Sequence, residues 1–269
     1  MIDQKLPMNT FPHFAAYPEL IHGFSTRAGG VSEGIYASLN LDFSRGDESE
    51  KVKENIGRFC CALGVLPENT VFSKQEHGTV IRRVTEADRG KGLIFERDYT
   101  CIDGLITNCP DIALMTFYAD CVPLFFFDPQ KKVIALSHAG WRGTVAGIAA
   151  VTVGTFVSEY GSNPSDLLVG IGPSIGPCCY EVGPDVWLEA QKIEGLPLDL
   201  CILPNKENDP QKRRVDLWQI NREILKANGV SEQNIIASGL CTCCHPESFF
   251  SHRASNGKRG AMAALMQLK

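Results

Sequence analysis

Between residues 112 and 138 three strand-sized apolar runs follow one another almost without interruption: IALMTFYA (112–119), VPLFFF (122–127) and KKVIALSH (131–138). Runs this short, apolar and rich in aromatic and branched side chains read as buried strands. A chain that buries several strands must supply apolar layers to cover them. The 44% hydrophobic content over 269 residues is enough for a large core. The last two runs are joined by DPQK (128–131), where Pro129 is preset for the second position of a turn.

The rest of the chain supplies the cover. Apolar residues at Val52, Ile56, Phe59, Cys60 and Leu63 have helical spacing and predict a helix over 48–63, with Asp47 as its cap. A second helical segment is predicted over 143–160, where Gly147 and Gly154 imply close packing against a neighbour. PDVWLEAQKI (184–193) and VDLWQINREILKAN (215–228) read as helices, the latter closed by Gly229. Residues 70–84 read as strand, turn, strand; LLVGIG (167–172) and NIIASGL (234–240) as strands. The final GAMAALMQLK reads either way, because alanine and methionine favour helix. Strands and helices mix without regular alternation. The expected class is therefore α+β: a single domain over 1–269 with mixed β-sheets covered by helices.

Charge and composition exclude some functions. A net charge of −5 gives no basic footprint, so no nucleic-acid partner is expected. The N-terminal MIDQKLPMNTF has no charged-then-apolar signal pattern, and no apolar run approaches the ~20 residues of a membrane span. Eleven cysteines are an odd number, which fits reduced thiols in a cytoplasmic protein better than a closed disulfide set.

Two groups of residues could hold a metal. If DPQK is a regular four-residue turn, residue i faces residue 259 − i, and Cys121 faces His138. Opposed side chains at about 5 Å can share one zinc ion. His77, in the glycine-flanked turn QEHG (75–78), is a candidate third ligand. Three protein ligands with an open fourth position are the pattern of a catalytic zinc. A histidine beside glycine is more commonly a surface or internally satisfied residue, so chemistry alone leaves the third ligand open. The second group is CTCCHPE (241–247). Its spacing lacks a regular pair of ligand pairs, and the only other candidates, Cys178 and Cys179, are adjacent. Adjacent cysteines rarely chelate one tetrahedral ion. Cys241 and Cys243 are therefore read as packing thiols in a wall near the active site, and approach of Cys178 or Cys179 would permit a disulfide under oxidation. GIGPSIGP departs from the G-x-G-x-x-G phosphate pattern and reads as a plain loop.

Several motifs carry a family resemblance. STRAGGVSEGIYASLNL (25–41), QEHG, DGLIT (103–107), YADCVPLFFFD (118–128), SHAGWRGT (137–144), GIGPSIGPCCYEVG (170–183) and CTCCHPESFFSHR (241–253) resemble the YfiH-like family, also called the laccase-domain or multicopper polyphenol oxidoreductase family. The resemblance spans nearly the whole chain. It implies an α/β/β/α layered sandwich like that of bacterial toxin deamidases, with His77, Cys121 and His138 as zinc ligands. It also implies purine nucleoside chemistry: phosphorolysis of adenosine, inosine and methylthioadenosine, and deamination of adenosine. The expected roles are phosphate binding by Arg27 and Arg142, contacts to ribose or base by Asn40 and Gln75, and ligand orientation or proton transfer by Asp120. An alternative within the family is a peptidoglycan-precursor editing hydrolase that removes misplaced L-serine, with Cys121 and His138 as a nucleophile–base pair. The copper-oxidase name fits poorly. Six histidines, four of them scattered at His13, His22, His245 and His252, do not supply a multinuclear copper cluster.

Overall fold

The structure is a computed structural model that describes residues 6–205, 207 and 209–269; the first five residues of the N-terminal segment read above lie outside that range. In chain order its strands are β1 (Met8–Asn9), β2 (Leu20–Ser25), β3 (Thr70–Phe72), β4 (Ile81–Arg83), β5 (Gly104–Thr107), β6 (Ala113–Tyr118), β7 (Val122–Asp128) and β8 (Val133–Ala139). They continue with β9 (Leu168–Ile171), β10 (Glu181–Val182), β11 (Ile202–Pro204), β12 (Arg213–Val215), β13 (Ile235–Ala237) and β14 (Met262–Leu268). The helices are α1 (Ser49–Leu63), α2 (Trp141–Val145), α3 (Ile148–Tyr160), α4 (Pro184–Gln191), α5 (Leu198–Cys201) and α6 (Leu217–Ala227).

Two mixed sheets dominate. One has the order β1-β2-β14-β6-β3, the other β13-β9-β7-β8-β5-β4, and β10-β12-β11 form a small third sheet. Side-chain alternation sets the layers. In β7, Phe125 and Phe127 point into the core between the two large sheets, whereas Leu124 and Phe126 pack beneath α3 and α6. In β14, Met262, Ala264 and Met266 join the inter-sheet core, while Ala263 and Leu265 meet Val52, Ile56 and Phe59 of α1. The stack is therefore helix, sheet, sheet, helix, as the resemblance implies.

One open reading is settled and four expectations change. The C-terminal segment is a strand, held between β2 and β6 with antiparallel pairing to both; tertiary pairing overrides the helix preference of alanine and methionine. The segment 143–160 is two helices broken at Gly147, whose φ of +82° leaves the helical region. Gly154 faces open space, so close packing is not its reason for being there. Asp47 does not cap α1. Its carboxylate accepts from Ser32 Oγ and Asn40 Nδ2 at 2.6 and 3.1 Å, fastening the glycine-rich loop.

The fourth change is the β7–β8 register. Asp128 pairs with Val133 and Pro123 with His138, so the sum is 261 rather than 259. The Asp128 carboxylate accepts from Gln130 N and Lys131 N at 2.8 and 3.0 Å, and Lys132 takes φ +51°, so the four-residue loop moves one position along the chain, to 129–132, and every partner shifts by two. A shift of two preserves the side-chain face. Cys121 thus lies on the same side as His138, but diagonal to it.

The loop 29–45 reaches back towards the sheets because α1 holds it. Asn55, fully buried, donates to Ser32 Oγ, Ser38 O and Asn40 O, and accepts from Val31 N at 2.8 Å. Replacing Asn55 by leucine leaves two main-chain groups of this loop, Val31 N and Asn40 O, without a partner, while Ser38 O keeps its bond from Ser32 N. The substitution is expected to cost about 2–4 kcal/mol. Urea unfolding with an unchanged m-value checks it.

Candidate metal centre

The chain passes from the first large sheet to the second twice, and each passage carries one ligand. Residues 73–80 link β3 to β4 and hold His77; residues 119–121 link β6 to β7 and end at Cys121. Both passages need left-handed backbone, φ +64° at His77 and +85° at Asp120, which is uncommon for residues with a side chain. The third ligand, His138, stands near the end of β8 and is 3% exposed.

The ligand atoms of His77, Cys121 and His138 lie within 4.8 Å of one another. Cys121 Sγ is 3.7 Å from His77 Nε2, and the two imidazoles meet edge to face with centroids 4.9 Å apart. Zinc–ligand bonds of about 2.0–2.3 Å place neighbouring donors roughly 3.5 Å apart, so the trio fits one tetrahedral ion with a free fourth position. Gly140 makes room for it. A Cβ there would stand 2.6 Å from His77 Cδ2 and 3.2 Å from Cys121 Sγ.

Asp103 organises the group, and no role was read for it in the sequence. Fully buried, it accepts from Glu76 N, His77 N and Gly78 N at 3.0, 2.9 and 2.8 Å. It also bonds His138 Nδ1 at 2.9 Å. With Nδ1–H given to Asp103, His138 presents the Nε2 lone pair to the ligand position. Burial alone would raise the Asp103 carboxyl, but His138 and the backbone donors bring it below its usual range. Burial likewise pushes the Cys121 thiol up, yet the two imidazoles outweigh it and hold it at about 6. His138 is raised to about 9, because the Cys121 thiolate and Asp103 overcome desolvation.

The trio lies at the floor of a cavity of about 360 Å³. Its walls include Phe43, Phe117 and Tyr118, and the cations Arg45, Lys74, Arg97 and Arg259. Arg45 Nε pairs with Asp42 at 2.7 Å, and Arg97 Nη1 donates to Ser73 O at 2.6 Å. Arg259 has a buried Nε with no partner, and desolvation, with Arg45 close by, lowers its guanidinium to about 10.

Other residues singled out in the sequence are placed differently. Gln75 lines the cavity, but its amide clamps the β6 main chain, accepting from Phe117 N and donating to Phe117 O, both at 2.7 Å. Asn40 is fully buried and binds Ala261 N, Asp42 N and Asp47. Arg27 is off the cavity wall, donating to Ala37 O and Pro246 O and covering the Phe250 ring. Arg142 is exposed and stacks on Trp141. The Asp120 carboxylate accepts from Thr242 Oγ1 at 2.6 Å and Arg253 N at 2.7 Å, so both oxygens serve the 241–253 loop.

A family model described as multi-copper polyphenol oxidoreductase laccase matches residues 21–269. The chain belongs to this laccase-domain family. A relative from Bacillus subtilis named purine nucleoside phosphorylase YlmD is 37% identical over 255 residues, covering 93% of this chain and 89% of the relative. A relative from an unknown prokaryotic organism, named adenosine deaminase RL5, is 33% identical over 244 residues, covering 89% of this chain and 91% of the relative. The crystal structure of the Bacillus licheniformis hypothetical protein YfiH matches with a TM-score of 0.92 at 35% identity, covering 100% of this chain and 98% of that one. The family and mixed α+β fold expected from the motifs are therefore borne out, and the family's members include enzymes named for purine nucleosides. Among the described residues no helix is long and apolar enough to cross a membrane.

Asp103→Asn keeps the volume but turns an acceptor into a partial donor against three N–H groups. Zinc affinity is expected to fall about 10- to 100-fold, as for other partners of ligating histidines. A titration against a competing chelator measures it.

Proposed function

We propose that the protein is a zinc-dependent purine nucleoside phosphorylase, acting on adenosine, inosine and methylthioadenosine and also deaminating adenosine. The observation that carries this reading is the pairing of a three-ligand metal site with a cationic cavity wall in which Arg259, bonded through Nη1 to Gly260 O, has an Nε without a partner. Two guanidiniums held close together, one with a buried unpartnered Nε, are relieved by an oxyanion between them. Phosphate meets that requirement. Zinc is favoured over copper by the donor set, two imidazoles and one thiolate around a single position.

His77, Cys121 and His138 would hold the zinc, with Asp103 fixing His138. When bound, the ion would supply Lewis acidity to the substrate. Arg45 and Arg259, with Lys74 and Arg97 nearby, hold phosphate. Phe43 and Phe117 offer apolar surface to the base. In phosphorolysis a phosphate oxygen bonds to ribose C1′ as the C1′–N bond breaks; the electron pair leaves with the purine, which takes up a proton. Asp120 acts at a distance, bracing the loop beside Cys121. The phosphate contacts assigned in the sequence to Arg27 and Arg142 pass to Arg45 and Arg259, because the first two are engaged away from the cavity. Eleven free thiols suit a reducing cytoplasm.

A second reading rests on one specific contact set. Asp103, His138 and Cys121 form an acid–imidazole–thiolate series that could serve as a metal-free hydrolase acting on a cell-wall precursor.

Elemental analysis and turnover on the same samples separate the two. Cys121→Ala is expected to lose the zinc of this site together with purine and ribose-1-phosphate release. Full activity in metal-free wild-type protein would sink the zinc reading and make Cys121 the nucleophile. Arg259→Gln is expected to raise the KM for phosphate roughly tenfold or more, the worth of one charge-assisted bond. Arg142→Gln should leave that KM within about twofold. The reverse ranking would return phosphate to Arg142.

A further inference from the structure

Four cysteine sulfurs meet outside the cavity. Cys178 and Cys179 come from the turn before β10, and Cys241 and Cys244 from the segment after β13. All four Sγ atoms lie within 4.8 Å of one another. Cys244 Sγ is 3.4 Å from both Cys178 Sγ and Cys179 Sγ. Zinc–thiolate bonds of about 2.3 Å give a regular sulfur tetrahedron with edges of about 3.8 Å. The two 3.4 Å separations are a little shorter than that edge, and no pair is more than 4.8 Å apart. They exceed the ~2.05 Å of a disulfide by a wide margin. Several irons would hold the sulfurs further apart than one ion does, because the metals themselves lie between them.

The expectation that adjacent cysteines rarely chelate one tetrahedral ion rests on spacing along the chain. It assumes extended backbone, where neighbouring side chains diverge. Residues 176–180 form a tight turn instead: Cys179 N and Tyr180 N both donate to Gly176 O at 3.0 Å. That turn brings both thiols to Cys244. Gly176 N donates to Cys241 Sγ at 3.2 Å, the kind of N–H···S bond that supports a ligating thiolate. Cys241 is buried, while Cys178 and Cys244 are exposed, which leaves a path for an ion. His245 stands apart, 3.4 Å from Glu247.

We propose that Cys178, Cys179, Cys241 and Cys244 form a second metal site, a tetrathiolate centre that takes one thiophilic ion, zinc in the first place. Four thiolates close the coordination shell and leave no position for substrate, so the site is structural. It staples two segments that brace the catalytic cysteine's neighbour. Ser174 and the segment after β13 bond through Ser174 N to Leu240 O and Thr242 N to Ser174 O. Both segments grip Asp120, by Ile175 N to its carbonyl at 2.9 Å and by Thr242 Oγ1 to its carboxylate.

Cobalt(II) titrated anaerobically into metal-free, reduced Cys121→Ala protein tests the site with the first centre disabled. One equivalent is expected to bind with the sulfur-to-cobalt charge-transfer and visible bands of a tetrahedral thiolate site, and zinc should bleach them. Cys244→Ser or Cys178→Ser on the same background should weaken binding about tenfold or more. Cys109→Ser should not. Absence of the thiolate bands, or bands that survive both cluster substitutions, overturns the proposal. So does a protein that binds no cobalt but forms a Cys244 disulfide under mild oxidant. Cys178 and Cys244 are exposed, so circular dichroism of each single serine variant gives a folded control. Because the readout needs neither Cys121 nor turnover, failure of the zinc nucleoside reading leaves it intact.

Discussion

The Asp103 carboxylate enters the interior with no exposed surface, and an unpaired charge there would cost several kcal/mol. It is tolerated because four donors converge on it, three from the 76–78 main chain and one from His138. The same bonds aim the site. They hold the left-handed turn that projects the His77 ring, and they choose the His138 tautomer that leaves Nε2 free. The arrangement serves two chemistries equally well up to this point. An oriented imidazole beside a thiolate can ligate a metal or deprotonate a nucleophile. His77 tips the balance towards metal, since a hydrolytic pair has no use for a second imidazole 3.7 Å from the sulfur.

The stacking of two sheets explains why the ligands come from such distant parts of the chain. Each of the two large sheets is mixed, and the chain leaves the first for the second after β3 and again after β6. Such crossings cannot continue a ladder, so they turn sharply and place main-chain and side-chain polar groups at the sheet ends. His77 and Cys121 sit at those crossings, while His138 arrives on a strand already in the second sheet. The cavity opens where the sheets part, and the loop 29–45, tied down by Asn55 and Asp47, closes one side with Asp42 and Arg45.

Much of this was legible in the residues, for identifiable reasons. The strands of 112–139 were readable because each is apolar on both faces. The Cys121–His138 juxtaposition survived an error in register because a slip of two keeps the face. The helix break at Gly147 was not readable because it depends on one dihedral, and the choice between strand and helix at 262–268 stayed open because it depends on partners more than a hundred residues away. Asp103 lay inside a quoted motif, and a lone acid at the head of an apolar strand was the available signal for it. Adjacent cysteines looked unsuited to one ion because spacing along the chain does not report a turn. Arg45 and Arg259 follow no pattern, coming from two loops near opposite ends of the chain that meet only in the fold.

Charge makes the same point about averaging. The chain is acidic as a whole, at −5, yet the cavity gathers four cations against the single carboxylate of Asp42. Deamination needs only water and a base, and would leave those cations idle beside a site that already pays desolvation for them. The proposed phosphorolysis would use them. Phosphate brings two negative charges or nearly so, enough to offset the repulsion between Arg45 and Arg259. On this view the two activities share one metal centre and differ in what fills the cationic end of the cavity: an oxyanion turns the chemistry towards ribose C1′, and its absence leaves the base as the reacting partner.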